Sequence, residues 1–326
     1  MLYPKFLKKN STIGISAPSA GVGRKIEKYE ESLNILKKEG YRIVETPSVR
    51  VNNIRSTTAR KRGKELNSLI SDENIDMVIM ATGGDYMYEV LPFIDFEAIK
   101  NNPKWLMGYS DPTNVLYTVT TRYDIATLYG FNGSSYDNNN FKYQRDNLEI
   151  LKGNIVTQNS YRKYQKQDDY VNDILEFNGD VKWLCKENTT ISGRLIGGCF
   201  EIISNILGTE YDYTNEFIER HKDEGIVWFF DVYSMNADDF YLRLLQMKYA
   251  GYFNNTKGVL VGRVAMPNEN PKGMTYKKAL DLALKDIPHI SEMDIGHTSP
   301  MMTLINGSMV KVNYRDNRGS IRMILK

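Results

Sequence analysis

Ser110, Asp231 and His297 are the residues of this chain whose types, order and settings could carry acyl-transfer chemistry. Ser110 ends the apolar run Trp105-Leu106-Met107-Gly108-Tyr109 and precedes Asp111-Pro112-Thr113-Asn114, the composition of a first helical turn. A serine at a strand-to-helix turn is pushed out of its sheet, beside helix N–H groups that can meet developing negative charge. The same residues also make an ordinary helix cap with acid and proline in the first turn. A serine hydroxyl is a poor nucleophile until an imidazole takes its proton, and a carboxylate must hold that imidazole in one tautomer and stabilise its cation. Asp231 closes Ile226-Val227-Trp228-Phe229-Phe230, an unbroken apolar run that predicts a strand buried on both faces.

Of the three histidines, His221 lies in the charged run 220–224 and His289 follows Pro288 in a polar-flanked connector. His297 stands in Gly296-His297-Thr298-Ser299-Pro300, a turn of small residues that presents an imidazole on a loop. An oxyanion needs donors, and the backbone N–H groups of Gly83-Gly84 and Asp111 could supply them. Blander readings stand beside these: a tight turn at Gly83-Gly84, a strand-end turn or cap at Asp231, a solvent-exposed turn at His297. Asp238 and Asp239 are fallback acids, expected in the helix that follows. Cys199, after Gly197-Gly198, has no basic neighbour to activate it and reads as a small packed residue.

The elements that must position these residues alternate in kind. Thr12 to Pro18 reads as a short buried strand ended by Pro18, Lys25 to Lys38 as a helix with Gly40 beyond its end, Tyr41 to Glu45 as a second strand. Ser56 to Ser71 is a second helix, and Ile75 to Ala81 a third strand that empties into Thr82-Gly83-Gly84-Asp85. Strands alternating with helices predict a parallel α/β sheet, whose sites gather at the carboxyl ends of its strands. The strand before Ser110, a helix from Asn114 to about Tyr123 and a strand over 125–129 continue the pattern. Gly21 and Gly23 form a lone Gly-x-Gly without further phosphate-loop residues and read as a turn. A second half opens with a strand from Thr189 and a helix carrying Phe200, Ile203 and Leu207. The run over 225–231, a helix near Asp238 to Tyr249, a strand over 257–263 and a terminal hairpin complete it. These boundaries give domains over 1–155 and 189–326 with a connector over 156–188.

Composition narrows the classes further. Forty-two basic and 40 acidic residues leave a formal charge of +2, so no global field argues for nucleic acid. Tyr161, Tyr164 and Tyr170 among basic residues could suggest a nucleic-acid surface, but Asp168, Asp169 and Asp173 balance them and a solvated connector is favoured. The first ten residues lack a signal-peptide core, and no run approaches the roughly 20 apolar residues of a membrane span. A cytoplasmic protein with no membrane partner is expected. Cys185 and Cys199 lack metal-type spacing and are expected as reduced thiols, with no metal or cofactor. Pro112 stands where the Gly-x-Ser-x-Gly turn of α/β-hydrolases needs its last glycine, which disfavours that fold.

The chain resembles the LD-carboxypeptidase family of serine peptidases. The resemblance rests on Ile13-Gly14-Ile15-Ser16-Ala17-Pro18-Ser19, Thr82-Gly83-Gly84, Gly108-Tyr109-Ser110-Asp111, Gly193-Arg194-Leu195-Ile196-Gly197-Gly198 and Gly296-His297-Thr298-Ser299-Pro300-Met301, in the family's order. It implies an N-terminal flavodoxin-like domain bearing the nucleophile, a smaller C-terminal α/β domain bearing acid and base, and an active site between them. Ser110 is then the nucleophile, His297 the base, and the N–H groups of Gly84 and Asp111 the oxyanion donors. The family's acid is usually glutamate; Asp231 at the matching position is shorter by one methylene, about 1.5 Å of reach. The implied activity is metal-free removal of a terminal D-alanine from muropeptide tetrapeptides through an acyl-enzyme, by a homodimer. A microcin-immunity branch, cleaving aminoacyl-nucleotide amides, and a binding protein that lost turnover are the alternatives.

Overall fold

A computed structural model describes all residues from Met1 to Lys326 and divides them into two compact units. The first comprises Met1–Ile155 with Thr303–Asn306, the second Val156–Met302 with Gly307–Lys326.

In the first unit the expected alternation is realised. The elements are β1 (Thr12–Ser16), α1 (Ile26–Lys38), β2 (Arg42–Glu45), α2 (Ala59–Ser71), β3 (Met77–Met80), α3 (Phe96–Asn101), β4 (Trp105–Gly108), α4 (Thr113–Tyr123), β5 (Thr127–Tyr129) and α5 (Lys142–Leu151). The strands lie in the order β2-β1-β3-β4-β5, all parallel, and Leu304–Asn306 adds an antiparallel strand beside β5. β1, β3 and β4 are buried along their whole length. That is why their sequences are continuous apolar runs and not alternating ones. The order reverses between β1 and β3, the position at which open parallel sheets place their ligand sites. Two helices escaped the sequence reading: α3, within a segment read only as a link, and α5, which begins with Lys142 and has few apolar positions.

The second unit is built on a seven-stranded sheet. Its elements are β6 (Gln158–Asn159), β7 (Lys163–Tyr164), α6 (Gln167–Val171), β8 (Gly179–Asp180), β9 (Thr189–Cys199), α7 (Phe200–Ile206), α8 (Thr214–Arg220), β10 (Ile226–Asp231), α9 (Ala237–Tyr249), β11 (Thr256–Gly262), α10 (Tyr276–Ala283) and β12 (His289–Met293). After β13 (Leu304–Asn306), given to the first sheet, β14 (Met309–Arg315) and β15 (Arg318–Ile324) form the terminal hairpin. The order is β12-β11-β10-β9-β14-β15-β6, with β9 to β12 parallel and the remainder antiparallel. β10 is the buried centre of the parallel part, all six residues inaccessible, and the carboxylate of Asp231 is carried in with them.

Residues 156–188, read from sequence as a connector, belong to this second unit in the structure: β6 pairs with β15, and Trp183 is fully buried. The segment lacks apolar periodicity because it is held by hydrogen bonds and a few large aromatic side chains. His289, also read as lying in a connector, opens β12. Cys185 and Cys199 form no disulfide. No helix is long and apolar enough to cross a membrane.

Candidate active site

In the first unit the backbone does the positioning. β4 ends at Gly108, and two residues later Ser110 adopts φ +70°, a left-handed conformation that is costly for a side chain bearing Cβ. The turn is over-determined by its neighbours. The Ser110 N–H donates to the Tyr129 hydroxyl (3.2 Å), the Tyr109 N–H to Asn132 Oδ1 (3.2 Å), and the Thr113 N–H to the Ser110 carbonyl (2.9 Å). Together these tie β4, β5 and the start of α4 to one strained residue.

Asp111 is 1 % exposed, and its side chain faces inward. Oδ2 accepts from the Ser19 hydroxyl and from the Met87 N–H (2.8 Å), while Oδ1 accepts from Asn114 Nδ2 (2.9 Å). One carboxyl thus ties the loops after β1, β3 and β4. Burial pushes its pKa up to about 6, against the lowering effect of the Ser19 and Met87 hydrogen bonds. Gly83 and Gly84 lie in the loop after β3. A Cβ on Gly83 would stand 3.1 Å from Ser110 Cβ, and one on Gly84, at φ +147°, would stand 2.4 Å from Ser19 Oγ. Gly84 is therefore fixed as glycine by both its backbone and the space around it.

In the second unit side-chain charge does the positioning. His297 Nδ1 lies 2.8 Å from Asp231 Oδ2 and 3.0 Å from Oδ1, with side-chain exposures of 6 % and 0 %. The ring comes so close because Gly296, at φ +98°, lets the backbone pass over the acid; a Cβ there would stand 1.9 Å from Asp231 Oδ1. Burial lowers the His297 pKa, but the charge and hydrogen bond of Asp231 and the charge of Glu201 outweigh it, and the net shift is upward from 6.5. With Nδ1 committed to the acid, Nε2 is the nitrogen that would exchange a proton. The shorter Asp side chain reaches the imidazole, so the missing methylene is accommodated here.

The loop bearing His297 is braced from several sides. Arg263, just past β11, lies 2.8 Å from Asp294 Oδ1 in an ion pair of 4 % and 0 % exposure, and its Nε donates to Thr298 Oγ1 (3.3 Å). Asp294 Oδ2 accepts from Trp183 Nε1 (2.9 Å) and the Tyr161 N–H (3.1 Å). The Gln165 N–H donates to the Ser299 carbonyl (2.7 Å). Sequence reasoning missed Arg263, Asp294 and Gln165; only Arg263 left a signal, as a charged residue closing the apolar run over 258–262. Asp238 and Asp239 lie in the first turn of α9, where Asp239 pairs with its cap Asn236, and no contact with His297 is seen for either. The Cys199 thiol is pushed well up by burial and by the charges of Glu201 and Asp231, which leaves it protonated and unsuited to attack.

The fold and these settings define a two-domain mixed α/β protein of the serine-peptidase class. The family model for the LD-carboxypeptidase N-terminal domain matches residues 13–130 and that for the C-terminal domain matches 192–312, so the chain belongs to the LD-carboxypeptidase family, Peptidase S66. Among its relatives, the microcin C7 self-immunity protein MccF of Escherichia coli is 24% identical over 341 residues, covering 97% of this chain and 94% of MccF. The wild-type MccF structure matches with a TM-score of 0.84 at 20% identity over 100% of both chains. Muramoyltetrapeptide carboxypeptidase from Oxalobacter formigenes matches with a TM-score of 0.75 at 16% identity, over 96% of this chain and 98% of that one. MccF has also been solved with aspartyl sulfamoyl adenosine.

Proposed function

We propose that this protein is a serine-type LD-carboxypeptidase that hydrolyses the amide before a terminal D-alanine of muropeptide tetrapeptides. The observation that carries the reading is the buried Asp231–His297 pair, whose 2.8 Å contact leaves one imidazole nitrogen for a nucleophile. Family membership and the relation to a muramoyltetrapeptide carboxypeptidase support the substrate class.

In this reading His297 Nε2 takes the proton of Ser110 Oγ as Oγ forms a bond to the amide carbonyl carbon, and the carbonyl oxygen becomes an oxyanion held by the N–H groups of Gly84 and Asp111. The tetrahedral adduct collapses by breaking the C–N bond. The proton on His297 passes to the departing amine, which leaves as D-alanine. Water then gives a proton to His297 and its oxygen attacks the ester; Ser110 leaves with that proton, releasing the shortened peptide acid. The working enzyme must bring Ser110 to His297 for any of these steps.

The purified protein incubated with a murein tetrapeptide should release D-alanine, detected by mass spectrometry, and Ser110→Ala should abolish release. The relation to MccF favours a second substrate, an aminoacyl sulfamoyl adenosine, whose aminoacyl amide the same machinery would cut. Turnover of that compound with no D-alanine release would select the second reading. Turnover of neither by folded protein would indicate a binding homologue.

A further inference from the structure

Glu201 lies two residues past the end of β9, in the first turn of α7, and its carboxylate does not behave as a surface charge. Oε1 accepts three consecutive backbone N–H groups, from Tyr233 (2.9 Å), Ser234 (2.8 Å) and Met235 (2.9 Å). Oε2 accepts from the Cys199 thiol (3.3 Å). Those N–H groups belong to the turn that leaves β10 immediately after Asp231. Three amide dipoles aimed at one oxygen make a cradle for negative charge. The turn held this way carries the Tyr233 ring, whose centroid lies 4.6 Å from that of His297.

We propose that Glu201 is a positioning residue for the base: a second carboxylate, behind Asp231, that ties down the 233–235 turn and sets the charge behind His297. The inference rests on the reading of His297 as the base, and goes beyond it by giving that base two acids with different tasks. Asp231, at the end of β10, touches the ring and fixes its tautomer. Glu201, from α7, fixes the turn that the Tyr233 ring hangs from and contributes negative charge without touching the imidazole's Nδ1. The other groups facing this corner include the Cys199 thiol at the end of β9, the Tyr233 ring, and the Tyr276 hydroxyl of α10, which donates to the Met235 carbonyl (2.6 Å). Arg263 acts on the far side through Thr298. Among the side chains of this unit, Glu201 and Asp231 both favour the imidazolium, in agreement with the direction of the His297 shift.

Charge and tether can be separated. In Glu201→Gln the amide oxygen can still receive the three N–H groups, but the charge is gone. In Glu201→Asp the charge stays, but about 1.5 Å of reach is lost. With only three histidines in the chain, imidazole NMR titration follows His297 directly, assigned with His297→Ala, and needs neither substrate nor turnover. In Glu201→Gln, His297 should titrate at lower pH while His221 and His289 hold their midpoints. In Glu201→Asp, the His297 midpoint should stay closer to that of the natural protein, while hydrogen exchange at the 233–235 amides quickens by about tenfold or more, the loss of a hydrogen bond's protection. An unchanged His297 midpoint in Glu201→Gln overturns the proposal, as do unchanged exchange rates in Glu201→Asp. Absence of hydrolysis by the natural protein would instead count against the catalytic reading and leave this titration result standing.

Discussion

The serine turn of the first unit and the acid–imidazole corner of the second are assembled by opposite means. Around Ser110 the determinants are backbone conformation and glycine: φ +70° at Ser110, φ +147° at Gly84, and hydrogen bonds that run largely to or from main-chain atoms. Around His297 they are side-chain charges, buried at Asp231, Asp294 and Arg263 and half-buried at Glu201, each engaged by at least one specific partner. A conformationally built site is sensitive first to backbone changes. A charge-built site responds to neutralisation of single atoms. The two halves should therefore fail differently.

The largest expected effect tests the charged half. Asp231→Asn keeps the shape but can hold His297 in the wrong tautomer, and should lower kcat by about 10⁴-fold, or about 5.5 kcal/mol of transition-state stabilisation. Asp231→Glu should retain most of the activity if its longer arm is absorbed by the Gly296 turn, and steady-state hydrolysis separates the two variants. The acid limb of kcat/KM in the natural protein should lie above pH 6.5, since a base with a raised pKa is lost to protonation sooner as pH falls. Next in size, Arg263→Met strands the Asp294 carboxylate without its cation. That should cost about 3–5 kcal/mol in denaturant unfolding of the second unit. The corresponding effect in the first unit belongs to the one buried charge it uses. Asp111 has a folded pKa near 6, above its ordinary 3.8, so its contribution to stability is complete below about pH 3.8 and is lost as pH rises through 6. It amounts to at most about 3 kcal/mol. Asp111→Asn should flatten that part of the stability-versus-pH curve measured by chemical denaturation.

How much of this was legible in the sequence follows the same division. The serine turn is a local object: an apolar strand, a small polar residue and a helix start all fall within 104–114, so periodicity and punctuation suffice to find it. The strand ending on Asp231 and the glycine turn holding His297 were each visible for the same reason. Their contact was expected from the chemistry of the set and the family resemblance, not from periodicity, because it spans 66 residues and depends on the parallel order of β9 to β12. Glu201 carries no signal in the sequence; its meaning lies in three amides 32 to 34 residues away. Residues 156–188 misled because hydrogen bonds to Asp294 and Ser299, unlike apolar packing, leave no period in a sequence. β13, with three residues, is too short to announce itself, and its pairing partner lies far earlier in the chain.

The smallest effect is the sharpest test of the conformational half. If φ +70° at Ser110 is strain held in place by Tyr129, Asn132 and the start of α4, then replacing the serine with a residue that carries no such penalty should stabilise the fold. Ser110→Gly removes the Cβ that makes the left-handed region costly, at the expense of extra chain entropy in the unfolded state. The strain relieved, about 1–3 kcal/mol, exceeds the entropy lost, about 0.5–1 kcal/mol, so a net gain of about 1 kcal/mol is expected in urea unfolding, with activity abolished. Ser110→Ala keeps the Cβ and should be equally inactive without that gain. Equal stability of the two variants would mean that the turn is comfortable for any residue and that its geometry is a product of helix capping alone. A gain confined to glycine would identify Ser110 as a position where stability has been given up to hold a hydroxyl where it is.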